Sequence, residues 1–424
     1  MKNKLKVPLR FIMVFNTFIL AMIVLFDRIM ISVAKDPIAS DLSLSDKQMG
    51  WVLSVFALGY ALFQSPSGYM ADKFGARKVL AGVVTLWSIF TALTGAVFGF
   101  VSLIFVRFIF GVGEAGAFPS MARAIYNWIP LNERGIVNGI NFSGGRIGAA
   151  IALPFAAWLI DLTGWRMSFV VLGAVGVFWA IIWYVWFRDN PQDHPKISER
   201  ELKFIKENIQ KADENEKSKV SVNKLFHSKS MWMLMGQYFS SNFTFFFTLT
   251  WLFPHIKDKF GLDTLEAGMF TSLPLICGAL GNWTSGFLVD YIYKKKKWAL
   301  SRKLPAIIGF FLAAVGIISS AYMDEVIPAI IFISIAVFGA DMTLSPSWSA
   351  CVDVGKEHSG VVSGTMNMAG NLGSFLTALA FPYMLSFTGS ALPFFYLAAA
   401  LNILAIPIWL GINPNNPLKI YVDD

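Results

Sequence analysis

The chain is predicted to be an all-α membrane protein: twelve transmembrane helices in two pseudo-symmetric six-helix bundles. Three observations carry this expectation. Apolar blocks of membrane-spanning length recur along the chain, one long polar stretch divides them six and six, and the two halves share a sequence repeat. Of 424 residues, 55% are hydrophobic and only 15% charged, with a mean hydropathy of +0.57. A soluble domain carries about a quarter charged residues. The apolar excess falls in blocks such as SFVVLGAVGVFWAIIWYVWF (168–187) and VIPAIIFISIAVFGADMTLS (326–345). Each is close to the roughly 20 residues a helix needs to cross about 30 Å of hydrocarbon.

In order, spans are expected near 11–34, 48–71, 79–99, 102–125, 136–160, 167–187, 230–255, 265–289, 304–323, 326–345, 358–385 and 391–412. The opening run, MKNKLKVPLRFIMVFNTFILAMIVLF, has the basic start and apolar body of a signal peptide. No small-residue cleavage site follows it, so it reads as an uncleaved first span. The net charge is +8. On the predicted map, the outer loops hold only Lys35, Lys47, Arg166, Lys257 and Lys259. Basic residues therefore gather on one side, which places both termini in the cytoplasm. That bias accounts for the charge without a nucleic-acid partner. Two cysteines, Cys277 and Cys351, suggest neither a disulfide framework nor a metal centre; no cofactor is expected.

The polar stretch suggests an amino-terminal bundle (1–187), a cytoplasmic linker (188–229) and a carboxy-terminal bundle (230–424). Within the linker, SERELKFIKENIQKA sets Leu202, Ile205 and Ile209 on one face, as expected of an amphipathic helix lying at the membrane surface. GYMADKFGARK after span 2, with Gly68 and Asp72, parallels GFLVDYIYKKKK after span 8, with Gly286 and Asp290. RGIVNGINFSGGRIG (134–148) aligns without gaps on SGVVSGTMNMAGNLG (359–373), matching Gly135, Val137, Gly139, Gly145 and Gly148. Six-span halves around a central site are a known transporter plan.

Charged residues inside spans are costly and mark ion or substrate pathways. Here they are Asp27, Arg28, Arg107, Glu114, Arg146 and Asp341. Arg107 and Glu114 are seven apart, hence on one helix face about 10 Å apart along the axis. Depth places Asp27 near them, so Asp27, Arg107 and Glu114 are expected to form a proton-coupling network. Arg28, about 100° around the helix from Asp27, is expected to point elsewhere, toward a central cavity. All four histidines fall in the linker or at span ends, which leaves proton coupling to carboxylates. Arg28 and Arg146 suit an anion, since guanidinium clamps carboxylate in a bidentate manner. Asn367 and Asn371 suit its hydroxyls, with interhelical hydrogen bonding as their plainer role. Tyr60, Gln64 and Asn242 are further substrate candidates, each more readily explained by packing when taken singly.

GYMADKFGARK resembles the cytoplasmic loop signature of the major facilitator superfamily. Asp27–Arg28, RFIFGVGEAGAFPSMARAIYNWIP, DHPKISERELKFI, TWLFPH and GTMNMAGNLG resemble its anion:cation symporters, bacterial sugar-acid importers and vesicular glutamate and sialic acid carriers among them. The resemblance covers nearly the whole chain. It implies proton coupling at Asp27 and Glu114, charge balance at Arg107, a substrate carboxylate on Arg28 and sugar hydroxyls on Asn367. It also implies a gate at Gly68, Asp72, Gly75 and Arg77. Physically, Asp72 can lie against the positive amino-terminal end of span 11. Departures are Leu25 where bacterial members often have Tyr, Gly145 where Gln is common, and the additional Arg146. They suggest a somewhat different or more anionic substrate than a simple hexonate.

The expected activity is proton-coupled import of an organic anion, a hexuronate or hexonate, by a monomer in a bacterial inner membrane. An anion exchanger on the same fold is the nearest rival. A non-transporting sensor would bind solute without moving it. No nucleophile–base pair, metal cluster or phosphate loop points to an enzyme; GVGEAG lies inside an apolar span with no strand before it.

Overall fold

The structure is a computed structural model that describes residues 7–209, 222–416 and 418. The centre of the linker, the last part of the predicted amphipathic stretch and the extreme termini lie outside the described residues. Every regular element among those described is helical.

Span 1 is Leu9–Val33, span 2 Asp46–Phe74 and span 3 Ala76–Thr94. Span 4 comes in two pieces, Phe100–Glu114 and Ala117–Trp128. Spans 5 and 6 form Arg134–Trp186, turned at Gly164, whose φ of 76° is open to glycine at little cost. Span 7 is Lys229–Thr250 followed by Leu252–Phe260; span 8 is Thr264–Lys294 and span 9 Trp298–Ala321. Span 10 breaks into Val326–Met342 and Leu344–Gly355. Span 11 is Ser359–Thr388 and span 12 Leu392–Gly411. Among the described residues seven helical stretches are long and apolar enough to cross a membrane; spans 2, 7 and 8 are not among them, and they bury polar groups such as Gln64, Gln237, Ser241 and Asn282.

The chain forms two compact units. Unit 1 comprises residues 1–131, 144–212 and 357–364; unit 2 comprises 132–143, 213–356 and 365–424. Each unit thus takes in a short piece of sequence from the other half. Unit 1 has a core of aliphatic side chains with Trp165 and Phe169. Unit 2 is built around packed aromatic rings: the Phe247 ring centre lies 5.1 Å from that of Phe381 and 5.2 Å from that of Phe394, both tilted. Large apolar side chains such as Phe98 (88% exposed) and Phe387 (89%) cover the outside, as lipid contact permits.

The linker helix is Glu199–Asn208, shorter than its apolar pattern suggests. Ile205 is buried, while Leu202 and Ile209 are only half-buried and Ile209 lies past the helix end. It is tied to the rest of unit 1 at both ends. The Glu201 carboxylate accepts hydrogen bonds from the Leu9 and Arg10 amides at 2.9 and 3.0 Å, capping the first turn of span 1. Those amides have no partner within their own helix, and the positive helix end favours the carboxylate. The Leu131 amide also donates to the Asn208 carbonyl at 3.0 Å.

Candidate functional site

Unit 1 gathers Asp27, Arg28, Arg107 and Glu114 where spans 1, 2, 3 and 4 meet. Glycines allow that approach: a Cβ on Gly111 would collide with the Phe56 carbonyl, and one on Gly113 would lie 2.9 Å from the Trp87 amide nitrogen. Span 4 therefore packs backbone to backbone against spans 2 and 3. This holds Glu114 (0% exposed) and Arg107 (3%) inside the unit.

The pairing differs from the expected one. Arg28 does not point away: its Nε donates to Glu114 Oε1 at 2.5 Å. Its guanidinium lies 4.4 Å from the Tyr60 ring centre and 5.2 Å from that of Phe56. Asp27 Oδ2 instead accepts from Trp87 Nε1 at 3.1 Å. Arg107 lies 4.5 Å over Phe110 and 5.3 Å over Phe56. The Phe56 ring thus lies against both guanidinium groups. Angular position around span 1 had separated Arg28 from the acids, but the arginine side chain is long enough to cross that angle. Each of these four charged side chains has a buried polar atom with no hydrogen-bond partner among the described residues: Asp27 Oδ1, Arg28 Nη2, Arg107 Nε and Glu114 Oε2. Such atoms are uncommon in interiors and concentrate where water, ions or ligands act.

The other substrate candidates divide between the units. In unit 1, Arg146 is half-buried on span 5. Flanking Gly144 and Gly148 press on the span 1 backbone at Phe18 and Met22. Tyr60 is buried with its ring stacked 5.6 Å from that of Phe56. Gln64 is fully buried, and neither atom of its amide has a protein partner among the described residues. In unit 2, Asn371 Nδ2 donates to the Asn367 carbonyl at 2.8 Å and Asn242 Nδ2 to the Tyr238 carbonyl at 2.9 Å. Both amide donors are committed to the preceding turn of their own helix, and Asn367 is buried.

Asp72 lies at the start of span 11, accepting from the Gly360 and Val361 amides at 2.8 and 2.7 Å. Gly68 is required beside it, since a Cβ would strike the Gly360 carbonyl. Arg77 does not join Asp72. Its amide donates to Asp189 Oδ1 at 3.0 Å and its Nε to the Tyr184 carbonyl at 2.8 Å. Gly75 turns the chain there with a φ of 87°. Arg123 Nε lies 3.9 Å from Asp72 Oδ1. The repeat is matched in unit 2, where Asp290 accepts from Gly135 and Ile136 at 2.8 and 2.7 Å. These are the residues aligned with Gly360 and Val361.

Sequence reasoning missed several partners. Trp87 and Phe56 are apolar in pattern, and only packing shows which charge each meets. Asp353 also went unnoticed, although it is fully buried with Arg134 Nη1 at 2.6 Å, Arg302 Nε at 2.8 Å and Trp298 Nε1 at 2.9 Å. An acid inside the apolar run SACVDVG was the available signal.

Residues 17–378 match the family model of the Major Facilitator Superfamily. Two curated relatives align over nearly their full length. A probable sulfoacetate transporter, SauU of Cupriavidus necator, is 34% identical over 92% of this chain and 90% of the relative. A probable galactarate/D-glucarate transporter, GarP of Escherichia coli, is 33% identical over 91% and 90%. Among solved structures, the proton:xylose symporter XylE bound to 6-bromo-6-deoxy-D-glucose superposes with a TM-score of 0.74. It shares 14% identity over 97% of this chain and 98% of that one, a likeness of fold.

Proposed function

The chain belongs to the major facilitator superfamily, a family of multi-pass membrane transporters, and we propose that it imports an organic anion of the sugar-acid type together with protons. The observation that carries this reading is the buried contact between Arg28 and Glu114. A guanidinium held by an internal carboxylate is a poor ligand for an external one. A proton on Glu114 removes its charge and frees Arg28 for the substrate carboxylate, so that proton binding precedes anion binding. Asp27, held by Trp87, is the second proton carrier. Arg107 balances charge when both acids are ionised.

Arg146 supplies a second cationic contact, and Tyr60, Gln64, Asn242, Asn367 and Asn371 supply polar contacts to hydroxyls. Two arginines favour a substrate with two acidic groups. Sulfoacetate, galactarate and D-glucarate, which name the relatives above, are dianions at neutral pH. The Asp72 bonds to Gly360 and Val361 act as the gate; they part when the cytoplasmic side opens and reform when it closes. The setting is a bacterial inner membrane, with both termini cytoplasmic and a monomer as the working unit.

The test uses galactarate uptake by proteoliposomes under an imposed inward proton gradient. Wild type should concentrate galactarate. Glu114→Gln should lose that accumulation yet keep exchange of external for internal galactarate. If the variant still accumulates substrate, Glu114 does not couple protons. If wild type takes up galactarate only when preloaded with an anion, the exchanger reading replaces this one.

A further inference from the structure

We propose that the turn between spans 8 and 9 binds one anionic diacyl phospholipid, whose phosphodiester headgroup is held by Lys295 and Lys296. The proposal goes beyond the transport reading and depends neither on the substrate nor on proton coupling.

YKKKKW (293–298) sets four lysines in a row. Span 8 ends at Lys294 and span 9 begins at Trp298, so they crowd into a very short turn. All four are exposed, and none makes an ion pair among the described residues. The acids on either side are already engaged. Asp290, whose charge reaches Lys294, accepts from the Gly135 and Ile136 amides at 2.8 and 2.7 Å. Asp353 accepts from Trp298 Nε1 at 2.9 Å and from Arg302 Nε at 2.8 Å. Trp298 and Arg302 thus pin the turn from inside, and the lysines stay on the outside. Clusters of this kind next to a membrane helix attract anionic headgroups.

The internal repeat shows that the open cluster is not a requirement of the fold. GYMADKFGARK (68–78) aligns without gaps on GFLVDYIYKKK (286–296), so Arg77 and Lys78 match Lys295 and Lys296. In unit 1 the Arg77 side chain is tied down: Nε donates to the Tyr184 carbonyl at 2.8 Å, and the guanidinium lies 4.7 Å from the Tyr184 ring centre. The Lys295 ammonium has no hydrogen-bond acceptor among the described residues of unit 2. Membrane insertion favours positive charge in such a turn but sets no arrangement for it.

Lys295 instead heads an apolar track. Its Nζ lies 4.3 Å from the Tyr291 ring centre, and that ring stacks on Phe287 at 5.9 Å. Phe287, Tyr291 and Lys295 are four apart, so they follow one face of span 8 to its end. Phe287 and Tyr291 are both exposed, as is Leu300 at the start of span 9. Ammonium, ring and apolar surface match the phosphate, glycerol and acyl chain of a phospholipid in the same order. Lys296 has a φ of 60°, a left-handed conformation uncommon outside glycine. A lysine there costs backbone strain and supplies a charge.

Native mass spectrometry of the full-length protein in detergent, titrated with single lipids, tests this. The lipids are phosphatidylglycerol and cardiolipin, both anionic phosphodiesters, and net-neutral phosphatidylethanolamine. Wild type should bind one anionic lipid in preference to phosphatidylethanolamine; whichever anionic lipid binds more tightly names the occupant. Lys295→Gln with Lys296→Gln should weaken that binding about 25-fold, or roughly fivefold per lysine. The same pair changed to arginine should bind as wild type does. So should Lys203→Gln with Lys206→Gln, which removes equal charge from the linker helix. Should the Lys295/Lys296 glutamine variant not remain monodisperse, Tyr291→Ala decides, with a loss of about threefold. Equal affinity for phosphatidylethanolamine, an equal loss in the linker variant, or undiminished binding in Tyr291→Ala overturns the proposal. So does displacement of the lipid by an equal concentration of glycerol 1-phosphate, which would make this a site for free phosphate.

Discussion

Arg28→Ala should destabilise the protein more than Glu114→Gln, and combining the two should undo part of the damage. The asymmetry follows from exposure: the Glu114 side chain is 0% exposed and that of Arg28 is 26% exposed. Removing Arg28 leaves a carboxylate with no route to water and with Oε2 already unpartnered. Breaking a buried pair in this way costs about 3–5 kcal/mol. Glu114→Gln leaves a partly exposed arginine side chain whose guanidinium lies over Tyr60, and glutamine keeps an acceptor oxygen in place. The loss is then the difference between a charged and a neutral hydrogen bond, about 1–1.5 kcal/mol. The double variant buries no orphan charge and should be about 2 kcal/mol more stable than Arg28→Ala alone, a coupling typical of residues in contact. Denaturant titration in mixed micelles, with intrinsic tryptophan fluorescence, measures all three. Additive losses, or a larger loss from Glu114→Gln, would refute the argument from desolvation.

Two further outcomes concern groups outside the membrane. Burial, with the Arg123 guanidinium adding to it, pushes the His358 pKa down to about 4 in the turn before span 11, where Glu357 lies 3.5 Å away. The unfolded chain then binds more protons than the folded one, so His358's contribution is present above the ordinary histidine range and fades as pH falls toward 4. His358→Gln should flatten that part of the stability–pH profile; an unchanged slope would count against it. Glu201→Ala removes the acceptor for two first-turn amides of span 1 and the partner of Arg10. It should cost about 1–2 kcal/mol and speed proteolysis in the linker, whereas equal cleavage rates would show that the cap does not hold the helix.

How much of this was legible beforehand depended on range. The spans, the separation of Arg107 from Glu114 and the two repeats follow from regular helix geometry, which local sequence specifies. The meeting of Asp72 with the start of span 11 also followed, because a helix end attracts a carboxylate whatever else surrounds it. Partner choice did not follow. Arg28 was assigned by its angle on span 1, yet three or more flexible bonds let its head group reach Glu114. The family resemblance groups Arg77 with Asp72, but the turn at Gly75 delivers it to Asp189 and Tyr184.

Apolar block length and the siting of basic residues were enough to specify a twelve-span membrane protein with buried charge, because hydrocarbon penalises each misplaced polar group one residue at a time. Which acid each arginine holds, why span 10 breaks beside Asp341 and how Glu201 reaches span 1 were decided only in three dimensions. Those outcomes hang on glycine-permitted backbone approach and side-chain reach between helices far apart in the chain, and no local window of sequence encodes either.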